Sequence, residues 1–162
     1  MGAGANTTDK HIPLLQEIDG VEIMGVVNRS ASSSDAVARR FGIPRTYDHW
    51  EQAVADPDTN AIVIGTWPYL HCPVTLAALE AGKHVLTEAR MAMNANEALR
   101  MLKASEARPE LVAQVVPSPI TFFADATIQR LIAEEYIGQL LAVENRMRGG
   151  FIDSTAPMHW RQ

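Results

Sequence analysis

Apolar residues along this chain fall into short dense runs, and between the runs they recur at helical spacing. VEIMGVV (21–27), NAIVIGT (60–66), HVLTE (84–88) and LVAQVV (111–116) are rich in β-branched and apolar side chains, the pattern of strands covered on both faces. Between them, SSSDAVARRFG (32–42), YDHWEQAVAD (47–56), CPVTLAALEAG (72–82) and NANEALRMLKASEA (94–107) read as helices. Serine opens the first of these, Gly42 and Gly82 close the first and third, and Asn94 with Glu97 is spaced as a capping box. PSP (117–119) breaks the pattern, DATIQRLIAEEYIG (125–138) reads as an amphipathic helix ending at Gly138, and LLAVENRMRG (140–149) as an extended strand. From residue 150 the sequence reads as an irregular tail. Strands alternating with helices of about a dozen residues predict a doubly wound α/β fold, with a mostly parallel sheet and helices on both faces.

One feature does not fit that rhythm. MGAGANTTDKHIPLL begins with a glycine turn and a helix, the second half of a strand–turn–helix unit in which backbone N–H groups and a helix N-terminus face a pyrophosphate. Only Met1 stands where the preceding strand belongs. The pattern therefore predicts a Rossmann-type sheet whose first, central strand is missing. Gly2 and Gly4 suit the tight turn and the close approach of backbone to phosphate, and Thr7 takes the third glycine position with a hydroxyl. The run 21–27 ends at Asn28, 24 residues after Gly4, where such a fold reads the adenosine ribose. An acidic residue there accepts from a free 2′-hydroxyl and repels a 2′-phosphate. Asn28, Arg29 and Ser30 instead offer an amide, a guanidinium and a hydroxyl, which favours NADP over NAD.

Composition narrows the classes. With 162 residues the chain suits one main domain; 47% of its residues are hydrophobic and 20% charged, as in a soluble globular protein. The longest apolar run is too short to cross a bilayer, and no secretory signal opens the chain, which points to the cytoplasm and away from membranes. A formal net charge of −5 argues against nucleic acid as a partner. Cys72 is the only cysteine and reads as a small buried apolar residue; no metal-ligand spacing occurs.

Taken together, GAGANTTDKHIPLL, VVNRS, RRFGIPRTYDHWEQAVADPDTNAIVIGTWPYLH and ALEAGKHVLTEARMA resemble the N-terminal half of the glucose-fructose oxidoreductase and inositol dehydrogenase (Gfo/Idh/MocA) family. The resemblance implies a nicotinamide dinucleotide in a Rossmann domain and a substrate, commonly a sugar or polyol, on a second domain built around an open sheet. Carried over by position, it places Gly2, Gly4, Asn6 and Thr7 at the pyrophosphate and Asn28, Arg29 and Ser30 at the ribose phosphate. Thr66, Trp67, Pro68 and His71 fall in the loop along the cofactor, with Glu88 and Arg90 near the nicotinamide end. Trp67 and Pro68 stand where the family usually has proline and asparagine. His71 reads equally as a hydrogen-bonding residue at a helix start, and Trp67 as a half-buried loop aromatic.

The main departure is in TEARMA (87–92), where Ala89 replaces the lysine of the family's Glu-Lys-Pro and Arg90 is too basic to accept a proton readily. No catalytic residue is assigned. The resemblance divides the chain into a dinucleotide-binding domain over 1–139 and, over 140–162, the start of a truncated second domain for substrate or oligomerisation. Two readings follow: an NADP(H)-binding oxidoreductase domain without the full catalytic apparatus, or a homo-oligomeric module with a vestigial nucleotide site that associates through strand 140–149.

Overall fold

The computed structural model describes residues 1–117, 124–144 and 146. By internal contacts the chain forms two units, Met1–Pro117 and Ser118–Gln162.

In the first unit, five short parallel strands alternate with helices. They are β1 (Gly25–Val26), β2 (Arg45–Thr46), β3 (Ala61–Ile64), β4 (His84–Thr87) and β5 (Ala113–Val115). β1 and β2 form one ladder, and β3, β4 and β5 another, ordered β3-β4-β5. The two ladders are not paired with each other; Met1 and Gly2 lie between them. Gly2 N–H donates to Val27 O, Met1 N to Val63 O, and Gly65 N–H to Met1 O, all at 2.8 Å. The order β2-β1-(Met1–Gly2)-β3-β4-β5 is that of a doubly wound sheet, with Met1 and Gly2 at the place of its central strand.

The strand expected over 21–27 is therefore reduced to Gly25–Val26, and residues 21–24 have no ladder. A strand is held by its neighbours, and here one side is open while β2 is only two residues long.

The helices obey their end signals. A π-helical turn, Thr7–His11, leads into α1 (Ile12–Gln16). α2 (Ala31–Phe41) starts at Ser30, whose hydroxyl accepts from Ser33 N–H, and stops at Gly42 with φ 66°, a left-handed cap that glycine adopts without penalty. α3 (Trp50–Ala55) carries a reciprocal capping box between His49 and Gln52. α4 (His71–Glu80) is largely enclosed, and α5 (Ala95–Glu106) is capped by Asn94, which accepts from Glu97 N–H. Two apolar clusters follow from this arrangement. Val54, Ile62, Ile64, Val74, Ala78, Leu79 and Val85 join α3 and α4 to β3 and β4; Ala3, Ile12, Val26 and Ile43 join the first helix and α2 to β1. Cys72 is buried, with its thiol pushed up in pKa first by desolvation.

In the second unit, α6 (Asp125–Ala133) ends five residues before Gly138, because Glu135 takes φ 52° and turns the chain earlier than the sequence pattern predicts. Residues 140–144 and 146 carry no strand, which corrects the extended reading of 140–149 for that part. An isolated strand without a ladder partner has nothing to hold it. Residues 145 and 147–149, and the tail with His159 and Trp160, lie outside the described residues.

Candidate functional site

The loops that leave the carboxyl ends of β1, β3 and β4 carry every residue that the sequence singled out beyond the glycine turn. This is the edge at which open α/β sheets bind ligands, at the point where strand order reverses, and Met1–Gly2 stand at that point.

Gly2 has φ +69°, and a Cβ on it would lie 2.7–2.8 Å from the backbone of Thr66. Only glycine fits both the conformation and the contact. Gly65 makes the reciprocal approach: its missing Cβ would fall 2.2 Å from Thr7 Oγ1 and 2.9 Å from Gly2 O. Gly4 differs, since nothing lies within 4 Å of its Cβ position. Space is open above the turn where the first helix begins, and the first N–H groups of a helix have no intrahelical acceptor. Open volume, a glycine backbone and a helix N-terminus fit a pyrophosphate; a side chain at position 4 would enter that volume. Thr7 is buried and its hydroxyl donates to Gly2 O at 3.2 Å, so it braces the turn from within.

Asn28 connects the turn to α2. Its Oδ1 accepts from Ala3 N–H at 2.6 Å, its Nδ2 donates to Ser33 Oγ at 3.0 Å, and its N–H donates to the buried Ser34 Oγ at 2.9 Å. A single amide side chain thus fixes the glycine turn against the first turn of α2. Arg29 and Ser30 stand exposed beside that N-terminus. The site's charge there is set by a guanidinium and hydroxyls, with an amide in place of a carboxylate at 28.

Two further connections complete the edge. The ring of His71 is fully buried, with Nδ1 2.7 Å from Arg90 O and Nε2 2.9 Å from Thr66 O. It ties the loop after β3 to the loop after β4, so it acts on anything bound only by positioning those loops. Glu88 reaches the first helix, where its Oε1 meets His11 Nε2 at 2.5 Å and accepts from Asn6 Nδ2. Trp67 is 62% exposed with its ring free to cover a ligand, and Pro68 opens a 3-10 turn, Pro68–Leu70, that leads into α4.

Sequence reasoning missed His11, Ser33, Ser34 and Gly65. Gly65 was detectable as a glycine between a strand and a loop; the partners of Asn28 and Glu88 depend on tertiary contacts. Among the described residues, no group of three or more His, Cys, Asp or Glu side chains is placed to hold a metal ion, and no helix is long and apolar enough to cross a membrane.

A second polar cluster lies outside this edge. Asp56 Oδ2 accepts from Tyr47 Oη and Arg45 Nη1, at 2.5 and 2.9 Å, while Arg45 Nη2 meets Asp58 at 2.6 Å. The Tyr47 hydrogen bond is the main cause that holds Asp56 down at about 2, and burial foremost, then Asp56, pushes Tyr47 up to about 12. Lys83 is buried, and its ammonium donates to Asp56 O at 2.5 Å, Thr59 O at 3.0 Å and Thr59 Oγ1 at 2.5 Å. It pins the turn that feeds β3.

Known proteins resemble the chain in the same regions. A family model described as an oxidoreductase family with an NAD-binding Rossmann fold, Gfo/Idh/MocA, matches residues 1–115. Levoglucosan dehydrogenase of Pseudarthrobacter phenanthrenivorans is 31% identical over 129 residues, 76% of this chain and 32% of its own length. The 1,5-anhydro-D-fructose reductase of Ensifer adhaerens is 38% identical over 86 residues, 53% of this chain and 26% of its own. Among solved structures, myo-inositol 2-dehydrogenase from Lactobacillus plantarum superposes with a TM-score of 0.71 at 20% identity, covering 86% of this chain and 41% of that one, a likeness of fold. The chain spans about a third of the length of these curated relatives. On the match over residues 1–115 and the doubly wound geometry, the chain belongs to the Gfo/Idh/MocA oxidoreductase family and carries its NAD(P)-binding Rossmann domain.

Proposed function

We propose that this chain binds NADP(H), in preference to NAD(H), along the carboxyl edge of its sheet. Gly2, Gly4 and Asn6 would hold the pyrophosphate, with Thr7 bracing the turn. Arg29 and Ser30 would hold the 2′-phosphate, with Asn28 positioning both segments. Thr66, Trp67 and Pro68 would line the cofactor, His71 would position their loop, and Glu88 and Arg90 would border the nicotinamide ribose. The observation that carries this reading is the hydrogen bonding of Asn28, which joins the glycine turn to the α2 N-terminus and puts a neutral amide where a carboxylate would repel a 2′-phosphate.

Bound there, the cofactor would supply hydride transfer to or from a substrate carbon bearing a hydroxyl or carbonyl. Two of the relatives bear the names levoglucosan dehydrogenase and 1,5-anhydro-D-fructose reductase, which suggests a carbohydrate-like substrate for the protein of which this domain is part. At the position of the family's lysine stands Ala89, whose methyl group can neither donate nor accept a proton. Residues 1–139 would form the cofactor domain, 140–162 would begin a substrate or oligomerisation domain, and the cytoplasm is the compartment this reading favours. The described chain alone would bind cofactor without substantial turnover. Titration with NADPH and NADH of the chain and of Arg29→Ala tests the reading: NADPH preference that disappears in Arg29→Ala supports it, and equal affinities in the parent chain refute it.

A second reading, self-association through 140–149, is favoured by the exposure of Leu140, Leu141 and Val143, the second of them 87% exposed. A strict monomer by light scattering at high concentration would remove it.

A further inference from the structure

The helix that follows the glycine turn opens with an uncommon winding. Over Thr7–His11 the backbone is π-helical, with Ile12 N–H donating to Thr7 O, an i→i+5 pattern that is rare and recurs at functional sites. In an α-helix, residues five apart point about 140° away from each other, whereas the wider π turn returns them to one side. Asn6 and His11 are such a pair. Asn6 Nδ2 and His11 Nε2 lie 3.4 Å apart, and both reach Oε1 of Glu88, the histidine at 2.5 Å. We propose that His11 is a positioning residue for Glu88: it locks the carboxylate so that one acceptor site is left, for a hydroxyl of the nicotinamide ribose.

The contact decides the state of the ring. A bare Nε2 would set its lone pair against a carboxylate oxygen, so Nε2 carries the hydrogen, in the neutral ring and the imidazolium alike. The carboxylate then receives three donors. Oε1 accepts from Asn6 and His11, and Oε2 accepts Ala89 N–H at 3.2 Å. Of the roughly four lone-pair sites of a carboxylate, one on Oε2 stays open. A glutamate on a free loop would lose rotamer freedom on meeting a ligand. Glu88 has already lost it, to residues 77 and 82 positions away in the sequence, and the His11 and Glu88 side chains are only 15% and 18% exposed.

Charge and order along the edge name the ligand group. A fixed carboxylate acceptor attracts a hydroxyl donor and repels the phosphates of a dinucleotide, which only accept. The glycine turn stands between the loop after β1, with Arg29, and the loop after β4, with Glu88. With the 2′-phosphate at Arg29 and the pyrophosphate at the turn, the hydroxyl that meets Glu88 belongs to the ribose on the nicotinamide side. That assignment rests on the proposed cofactor role, whereas the lock itself does not.

The test titrates the chain, His11→Leu, His11→Gln and Glu88→Ala by calorimetry with two ligands, NADPH and 2′-phosphoadenosine 5′-diphosphate, which carries the pyrophosphate but not the second ribose. His11→Leu and Glu88→Ala should each weaken NADPH by about tenfold, the scale of one hydrogen bond to a charged group, and leave the fragment's affinity unchanged. His11→Gln, whose amide can donate from the place of Nε2, should restore most of the NADPH affinity. Equal weakening of both ligands would overturn the proposal, because His11 would then act through the turn or the fold at large. So would undiminished NADPH binding in His11→Leu, or a His11→Gln variant no better than His11→Leu. A double-mutant cycle of His11→Leu and Glu88→Ala in urea melts reads the lock without nucleotide. Coupling between the two in a chain that binds neither ligand leaves the lock standing and refutes the cofactor reading; absence of coupling overturns the lock.

Discussion

The α-amino group of Met1 should make stability depend on pH in a window where few groups titrate. Burial lowers its pKa from 8.0 to about 6, because the charged form loses water and gains only the Val63 carbonyl. Between those values the unfolded chain binds the proton and the folded chain does not, so stability rises as pH rises from about 6 to about 8. Two pKa units correspond to about 2.7 kcal/mol. Below pH 6 both states are protonated and the folded state bears the whole cost; above pH 8 both are neutral and the cost is gone. Nα-acetylation removes the charge and keeps one N–H for Val63. With Met1 retained, as checked by mass spectrometry, urea unfolding at pH 5.5 should show the acetylated chain more stable by about 2–3 kcal/mol, a midpoint shift of roughly 1–2 M. At pH 8.5 that difference should largely vanish. A difference that is the same at both pH values would refute the buried-charge argument, because only packing of the acetyl group would then remain.

Other residues make further tests. Asn28→Asp keeps an acceptor for Ala3 N–H but brings a negative charge beside the proposed 2′-phosphate, and should reverse the preference from NADPH to NADH in a fluorescence titration; Asn28→Ala should cost about 1–3 kcal/mol in denaturant melts by orphaning the turn. Gly2→Ala, at φ +69° and 2.7–2.8 Å from Thr66, should destabilise by more than the roughly 1–2 kcal/mol of the left-handed conformation alone, measured by chemical unfolding. Lys83→Met leaves the carbonyls of Asp56 and Thr59 without their donor and should lower stability by about 1–3 kcal/mol, again read from denaturant melts. Because Asp56 is held at about 2 and Tyr47 at about 12, their contribution is present from about pH 4 to 10, declining in acid as Asp56 protonates and in base as Tyr47 ionises; Tyr47→Phe should weaken the pH dependence at both ends of thermal-melting profiles.

The parts of the fold that obey local rules were legible in the sequence. Ser30, Gly42, Asn94 and Gly82 mark helix ends that depend on nearby backbone, and β3 and β4 are apolar enough to fix their own burial. Other parts depend on partners that periodicity does not reveal. Residues 21–24 have the composition of a strand, but they have no ladder partner. The expected helix to Gly138 stops at Ala133 because Glu135 takes a left-handed conformation, for which a glutamate gives no warning. At the site, glycine spacing located the turn, and position 28 was identified by distance along the chain. Its mode of action was not: Asn28 spends both ends of its amide on Ala3 and Ser33, and so organises the turn before any ligand arrives. His71 behaves similarly, since burial gives its ring two carbonyl neighbours and no free face.

The central claim, that the glycine turn fixed by Asn28 holds NADP(H), is tested most directly by titrating the purified chain with NADPH and NADH and following energy transfer from tryptophan, with Trp50 and Trp67 as donors. Micromolar affinity for NADPH, weaker binding of NADH, and loss of that preference in Arg29→Ala are the expected results. No binding of either nucleotide up to millimolar concentration would contradict it.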